Sequence, residues 1–187
     1  DSVIIKFDKL GNIIWEKYFG GKSFDIFTSV DKTNDGYIAV GYTLSDDGDL
    51  NGLDKGEHDA IIVKFDEKGK VLWKKVFGGT ERDLFEDVVA TNDGDGAVGD
   101  IYSVDGDLRG ICNSGWCGII VKFDLNGNVV WKNTFDNLKS SMLYGVADAR
   151  DGYLAAGNGH LSESKSTNSN AILIKYDLNG NMVKIKK

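Results

Sequence analysis

Ala60-Ile61-Ile62-Val63-Lys64-Phe65-Asp66 decides the fold, because the chain writes this phrase four times. Ser2-Val3-Ile4-Ile5-Lys6-Phe7-Asp8 comes before it. Gly118-Ile119-Ile120-Val121-Lys122-Phe123-Asp124 and Ala171-Ile172-Leu173-Ile174-Lys175-Tyr176-Asp177 come after, at offsets of 58, 58 and 53. A fixed period of this length points to a repeat architecture. Other positions keep the same register: Trp15, Trp73 and Trp131; Phe19, Phe77 and Phe135; Val30, Val88 and Val146. Gly20-Gly21 matches Gly78-Gly79, although the third copy has Asp136-Asn137 there, and Asp35-Gly36 matches Asp93-Gly94 and Asp151-Gly152.

Each unit contains four short apolar segments separated by turn chemistry. In the first full unit these run from Thr28 to Lys32, Tyr37 to Thr43, Ala60 to Phe65 and Lys70 to Phe77, and we label their positions A to D. Their Val, Ile, Phe, Tyr and Trp content suits a pleated sheet. Asn34-Asp35-Gly36 joins A to B, and Asp-Gly is a strong hairpin signal because Gly accepts positive φ. Asp66-Glu67-Lys68-Gly69 joins C to D, with Gly closing the corresponding turn in all four copies. No segment between turns has the length or the spacing of a stable helix.

The C strands are apolar on both faces, which suits a strand covered on both sides. The reading is therefore all-β, a β-propeller of about three and a half four-stranded blades, each blade sandwiched between neighbours. A β-solenoid or a string of small sandwiches is the competing arrangement. One repeat domain spans 1–187: a C–D hairpin at 1–21, then blades at 22–79, 80–137 and 138–187. The first unit lacks A and B and the last ends on its own C and D. The missing strands are expected from upstream sequence or a second chain, since closure removes exposed edges.

The 187 residues carry 22 Lys+Arg against 29 Asp+Glu, no Pro and a net charge of −7, so a phosphate backbone would be repelled and nucleic acid is excluded as a partner. No apolar run reaches membrane-spanning length. The chain opens on Asp1 with no signal peptide, which reads as a processed protein or a piece of a longer one and leaves its compartment open.

Asp66-Glu67-Lys68-Gly69-Lys70-Val71-Leu72-Trp73 resembles the tryptophan-docking motif of quinoprotein-like propellers, with the turn one residue shorter or shifted. The pattern Phe77-Gly78-Gly79, Asp83, Val88, Thr91, Asp93-Gly94, Gly99 is similar to repeats of bacterial cell-surface and lipoprotein propellers. In those repeats a Trp-Lys-x-x-Phe-Gly-Gly segment precedes a Thr-x-Asp-Gly-Gly-Tyr hairpin. The resemblance covers nearly the whole chain and implies the fold and an extracellular or cell-surface setting. It does not imply a particular activity, because propellers host many. Two departures stand out: Lys184 takes the Trp position in the last copy, and Asp95-Gly96-Ala97-Val98 replaces the Tyr37-Ile38-Ala39-Val40 and Tyr153-Leu154-Ala155-Ala156 of its siblings. A polar residue and a Gly there should weaken that strand.

The sharpest candidate site is the B–C loop Asp47-Gly48-Asp49-Leu50-Asn51-Gly52, which has the Asp-x-Asp-x-Asn-Gly order of a calcium loop, with Asp54 as a further oxygen donor. His58 stands at the twelfth position in place of a bidentate Glu, so an EF-hand is excluded. An ordinary Asp- and Gly-rich turn reads the same way. Asp105-Gly106-Asp107-Leu108-Arg109-Gly110 puts the donor-only Arg109 where Asn51 stood, and Ser162 to Asn170 lacks the acidic pattern.

Cys112 and Cys117 flank four residues of one loop and read either as a local disulfide or as two free thiols. Trp15, Trp73 and Trp131 recur at fixed strand positions, which suits packing between units. Trp116 has no counterpart in other copies and is the candidate ligand contact. His58 and His160 read as loop residues without a catalytic partner. The expected function is a non-catalytic extracellular binding or adhesion propeller offering loops to a protein or glycan. The alternative is a piece of a propeller enzyme, quinoprotein-like or polysaccharide-active, with its catalytic groups elsewhere.

Overall fold

The computed structural model describes residues 1–112, 116–134, 138–161 and 169–186, and they form an all-β structure. A two-stranded sheet pairs β1 (Ser2–Phe7) with β2 (Ile13–Phe19). The first four-stranded sheet takes β3 (Asp25–Thr33), β4 (Gly36–Thr43), β5 (Asp59–Asp66) and β6 (Val71–Phe77) in that order. The second takes β7 (Asp83–Thr91), β8 (Gly94–Ile101), β9 (Cys117–Phe123) and β10 (Val129–Asn133). The third takes β11 (Leu138–Asp148), β12 (Gly152–Leu161), β13 (Asn170–Asp177) and β14 (Met182–Lys186). Every pairing is antiparallel between chain neighbours, and no sheet closes on itself among the described residues.

The C–D turns show why Asp and Gly recur. Asp66 Oδ1 accepts the backbone N–H groups of Lys68 and Lys70, each at 2.8 Å, and Asp8, Asp124 and Asp177 repeat the pattern. The side-chain amides of Asn12, Asn128 and Asn181 and then these backbone bonds hold Asp8, Asp124 and Asp177 below the usual carboxylate range, and the backbone bonds do so for Asp66. Gly69 closes its turn at φ +77°, a region an L side chain enters only at a cost.

The sheets lie against one another. β7 contacts β3, β4 and β5, and β11 contacts β7, β8 and β9, so contact between sheets runs through the A strands. Thr28 Oγ1 donates to the Phe85 carbonyl at 2.8 Å, and the Ala90 and Val146 N–H groups donate to Asp31 and Asp87. Apolar clusters fill the interfaces: Ile38, Val40, Ile62, Phe85 and Val121 in one, Val98, Ile120, Tyr153 and Ile174 in the next. Phe77, Phe85 and Phe123 repeat the aromatic triad of Phe19, Phe27 and Phe65 with centroid distances within 0.1 Å of it.

The recurrent tryptophans bridge consecutive units. Trp15, Trp73 and Trp131 donate their indole N–H to the carbonyls of Glu67, Leu125 and Leu178 at 3.1, 3.0 and 3.0 Å. Each ring covers the turn Gly of the next unit. A Cβ on Gly127 would meet Trp73 ring carbons at 2.8 Å. In the last copy the sequence puts Lys184 at this position.

Three local results differ from the sequence expectation. β3 starts at Asp25, three residues early, because Asp25 accepts from Thr43 Oγ1, Ser45 Oγ and the Gly21 N–H and fixes the strand's entry. Two single turns of 3-10 helix interrupt the B–C loops, at Gly48–Leu50 and Gly106–Leu108. The strand with Asp95 and Gly96 forms in full and is buried throughout. Gly96 is required there, since a Cβ would strike the Tyr153 ring at 2.6 Å. Asp95 stands where its siblings have Tyr37 and Tyr153, and both of its buried oxygens lack a protein partner. Burial pushes its pKa up to about 6.

Candidate functional site

The B–C loops lie at the opposite ends of the strands from the C–D turns, and there the units stop resembling one another. The part that repeats is a lock. Asp47 Oδ1 accepts the Lys22 N–H at 2.8 Å and Oδ2 pairs with Lys22 Nζ at 2.7 Å. Asp49 Oδ2 accepts the Gly20 N–H at 3.2 Å, while its own N–H donates to the Gly20 carbonyl at 2.9 Å. Asp105 and Asp107 hold Thr80 and Gly78 in the same way. Leu50 and Leu108 plug the space beneath, both buried. Gly48 and Gly106 adopt positive φ, +62° and +55°, because the backbone approaches the Gly20 and Gly78 carbonyls.

The loop thus joins one unit's B–C connection to the D–A connection that opens it. Asp47 has both oxygens engaged, the Asn51 N–H closes the 3-10 turn on the Gly48 carbonyl at 3.4 Å, and burial, with a smaller addition from the charge of Asp54, raises the Asp59 carboxyl to about 6. Among the described residues no group of three or more His, Cys, Asp or Glu is placed to hold a metal ion. A calcium ion at this loop would have to displace the Lys22 contacts of Asp47. Residues 162–168, most of the corresponding third loop, lie outside the described residues.

The part that does not repeat is a cluster around Trp116. The ring is half-buried, with the Arg82 guanidinium 5.4 Å from its centroid and Tyr102 edge-on at 6.2 Å. Those separations suit cation–π and T-shaped aromatic contact. Arg82 and Tyr102 are tied together because the Tyr102 N–H donates to the Arg82 carbonyl at 2.9 Å. The Trp116 carbonyl accepts from the Ser141 N–H, which anchors the loop to the third sheet. His58 bridges to Arg82 through the backbone and meets the Tyr42 ring at 6.1 Å. Glu86 and Asp100 lie beside Arg82. Burial raises both carboxyls, Asp100 to about 6 with Glu86 adding to the effect, and Arg82 opposes the rise in each.

Cys112 and Cys117 are joined in a disulfide across 6.1 Å between Cα atoms, within the usual span, so the Trp116 loop is pinned at both ends. The residues between, 113–115, lie outside the described residues. His160 belongs to β12 rather than to a loop. The sequence singles out Trp116 as a candidate but not its companions. Arg82 and Tyr102 are 34 and 14 residues away, and each is ordinary alone. The signal was available in the repeat: the position of Arg82 carries Phe24 and Ser140 in the other units, and that of Tyr102 carries Leu44 and His160.

The patch offers an aromatic face with a cation on it, the exposed ring of Tyr102 and nearby carboxyls. Such a surface can stack on a ring or a peptide side chain and hydrogen-bond around it. No protein-family model and no curated protein matches the chain.

Proposed function

We propose that the sheets are consecutive blades of a β-propeller and that the chain is a non-catalytic binding or adhesion module. It presents the B–C loop end to a protein or glycan in an extracellular or cell-surface setting. The blade reading is supported by the fan-like contact through the A strands and by the tryptophan bridges, both of which radial stacking requires. The binding reading is carried by one observation: the residues that differ between units gather with Trp116, Arg82 and Tyr102, while the residues that repeat are occupied in packing. Aromatic and arginine side chains are the usual anchors of recognition surfaces. Oxidising surroundings suit the Cys112–Cys117 disulfide and support the extracellular setting.

The test is binding of the labelled chain to a glycan array and to immobilised extracellular proteins, beside Trp116→Ala and Arg82→Ala. A hit weakened at least tenfold in both variants, with unchanged melting temperature, supports the reading. Hits that both variants keep would place recognition elsewhere, and no hit in any format removes the proposal.

A further inference from the structure

Two carboxyls of the second sheet stand where its siblings place groups that satisfy one another. Asp100 takes the position of Tyr42 and Asn158, and Glu86 that of Thr28 and Tyr144. The Asn158 amide donates to the Tyr144 hydroxyl at 3.4 Å, and the Thr28 hydroxyl donates to the Phe85 carbonyl. Neither Asp100 nor Glu86 makes a hydrogen bond or an ion pair among the described residues. Asp100 is 5% exposed, yet, unlike both oxygens of Asp95, its carboxyl is not sealed from the surface. A buried carboxylate without a partner carries a desolvation cost that an incoming donor relieves. Asp100 and Tyr102 leave the same face of β8 and its continuation, about 7 Å apart along the strand. Tyr102 is 43% exposed and stands edge-on to Trp116, so Asp100 lies one step inward of those two rings. The exposed Arg82 is close enough to oppose the raised pKa of both carboxyls, but its guanidinium meets only the Trp116 ring. The B–C connections at this end, 44–58 and 102–116, hold seven Asp and Glu against two Lys and Arg, and such a field draws in cations.

Building on the binding role proposed above, we infer that this end of the second sheet recognises a lysine side chain of a partner polypeptide. Asp100 and Glu86 take the ammonium, and Trp116 and Tyr102 line its stem. The ammonium is compact and brings three donors to two carboxyls that have none. The apolar stem lies along the rings while the charged head passes beyond them. Depth separates this group from other cations. A lysine reaches one strand step inward on its four-carbon stem, whereas an amino sugar carries its nitrogen directly on a bulky ring. A neutral sugar brings hydroxyls but no charge to offset the buried carboxylate. Arg82 has a different part. Its guanidinium donors are unused within the fold, and the main-chain carbonyls on either side of the bound lysine supply their acceptors. A polypeptide thus meets both signs of charge in the patch, which a bare amine does not.

The test titrates the full chain at pH 8, where Asp100 is ionised, with a penta-lysine peptide blocked at both termini. Fluorescence anisotropy reads the affinity and amide chemical shifts read the place. Saturable binding that moves Arg82, Asp100, Tyr102 and Trp116 supports the site if it weakens about tenfold or more in Asp100→Asn and on acetylation of the lysines. Asp100→Asn keeps the side chain's size, and an unchanged melting temperature verifies its fold; Glu86→Gln, at a half-buried position, gives a second variant with the same expected direction. Asp46→Asn removes an equal charge from an exposed position at the same end and should leave the affinity nearly unchanged. Equal weakening in Asp46→Asn and Asp100→Asn would show attraction to general acidity and overturn the proposal, as would the absence of saturable binding. A glucosamine pentamer that binds more tightly than the peptide, and is lost in Asp100→Asn, overturns the polypeptide as the source of the amine. A glycan or protein hit that needs Trp116 but ignores Asp100→Asn would remove lysine recognition and leave the binding role standing.

Discussion

Gly127→Ala probes the tryptophan bridge where its physics is simplest. Gly127 has φ +77°, and the space above it belongs to Trp73, whose Cε3 and Cζ3 would lie 2.8 Å from an added Cβ. Left-handed backbone costs an Ala about 1–2 kcal/mol, and forcing a methyl into occupied space costs about 1–3 kcal/mol more. Together the variant should lose about 3 kcal/mol. Trp73→Ala alone should also cost about 3 kcal/mol, the low end for a large aromatic because the ring is half-buried. In the double variant the wall is gone, so the methyl added at position 127 brings only its backbone cost. The two changes should therefore couple favourably by about 1–2 kcal/mol. Urea denaturation followed by circular dichroism measures the cycle. Hydrogen exchange at β9 and β10 runs beside it, because repeat arrays can unfold in parts. Additivity within about 0.5 kcal/mol would mean that the ring and the glycine do not share space, and the bridging account would fail.

Asp59, Asp95 and Asp100 are each raised to about 6 by burial. A carboxyl raised in the fold favours folding most below its unfolded value near 3.9, and that advantage is lost as pH climbs through about 6. Asp95→Asn should leave stability at pH 4 nearly unchanged and raise it by about 2–3 kcal/mol at pH 8, read from urea midpoints; equal effects at both pH values would contradict this. Calcium at the Asp47–Asp54 loop predicts that a chelator lowers the melting temperature and that Asp49→Ala abolishes the response, while a parent melt indifferent to chelator removes the ion. Reducing Cys112–Cys117 should cost about 2 kcal/mol for so short a ring and shift Trp116 fluorescence more than that of the bridging tryptophans; an unaltered spectrum would detach the disulfide from that loop.

Much of the fold was legible because it is written repeatedly. Four copies of the C strand and its Asp-x-x-Gly turn leave little freedom in where β5, β9 and β13 begin and end, and the Trp register exposes which ring faces the next unit. What the sequence hides is direction. Asp-Gly-Asp-Leu-Asn-Gly announces carboxylates at alternating positions, but their oxygens turn toward the N–H groups of the preceding connection, 25 and 29 residues back. Asp25 escapes an alternation test because its carboxylate is held by residues remote in sequence, its cross-strand partner Thr43 and Ser45, together with the Gly21 N–H. Arg82 and Tyr102 escape because their meeting with Trp116 exists only after two sheet connections fold to one end. Gly96 reads as a weakness because the ring that requires it, Tyr153, is 57 residues on.

The most direct measurement is hydrogen exchange of the indole N–H groups by nuclear magnetic resonance. If the tryptophans join one unit to the next, the Trp15, Trp73 and Trp131 signals exchange slowly, and Gly127→Ala speeds Trp73 selectively. Exchange of all three at the rate of free indole would show that the rings stand in water and that the units are not held together this way.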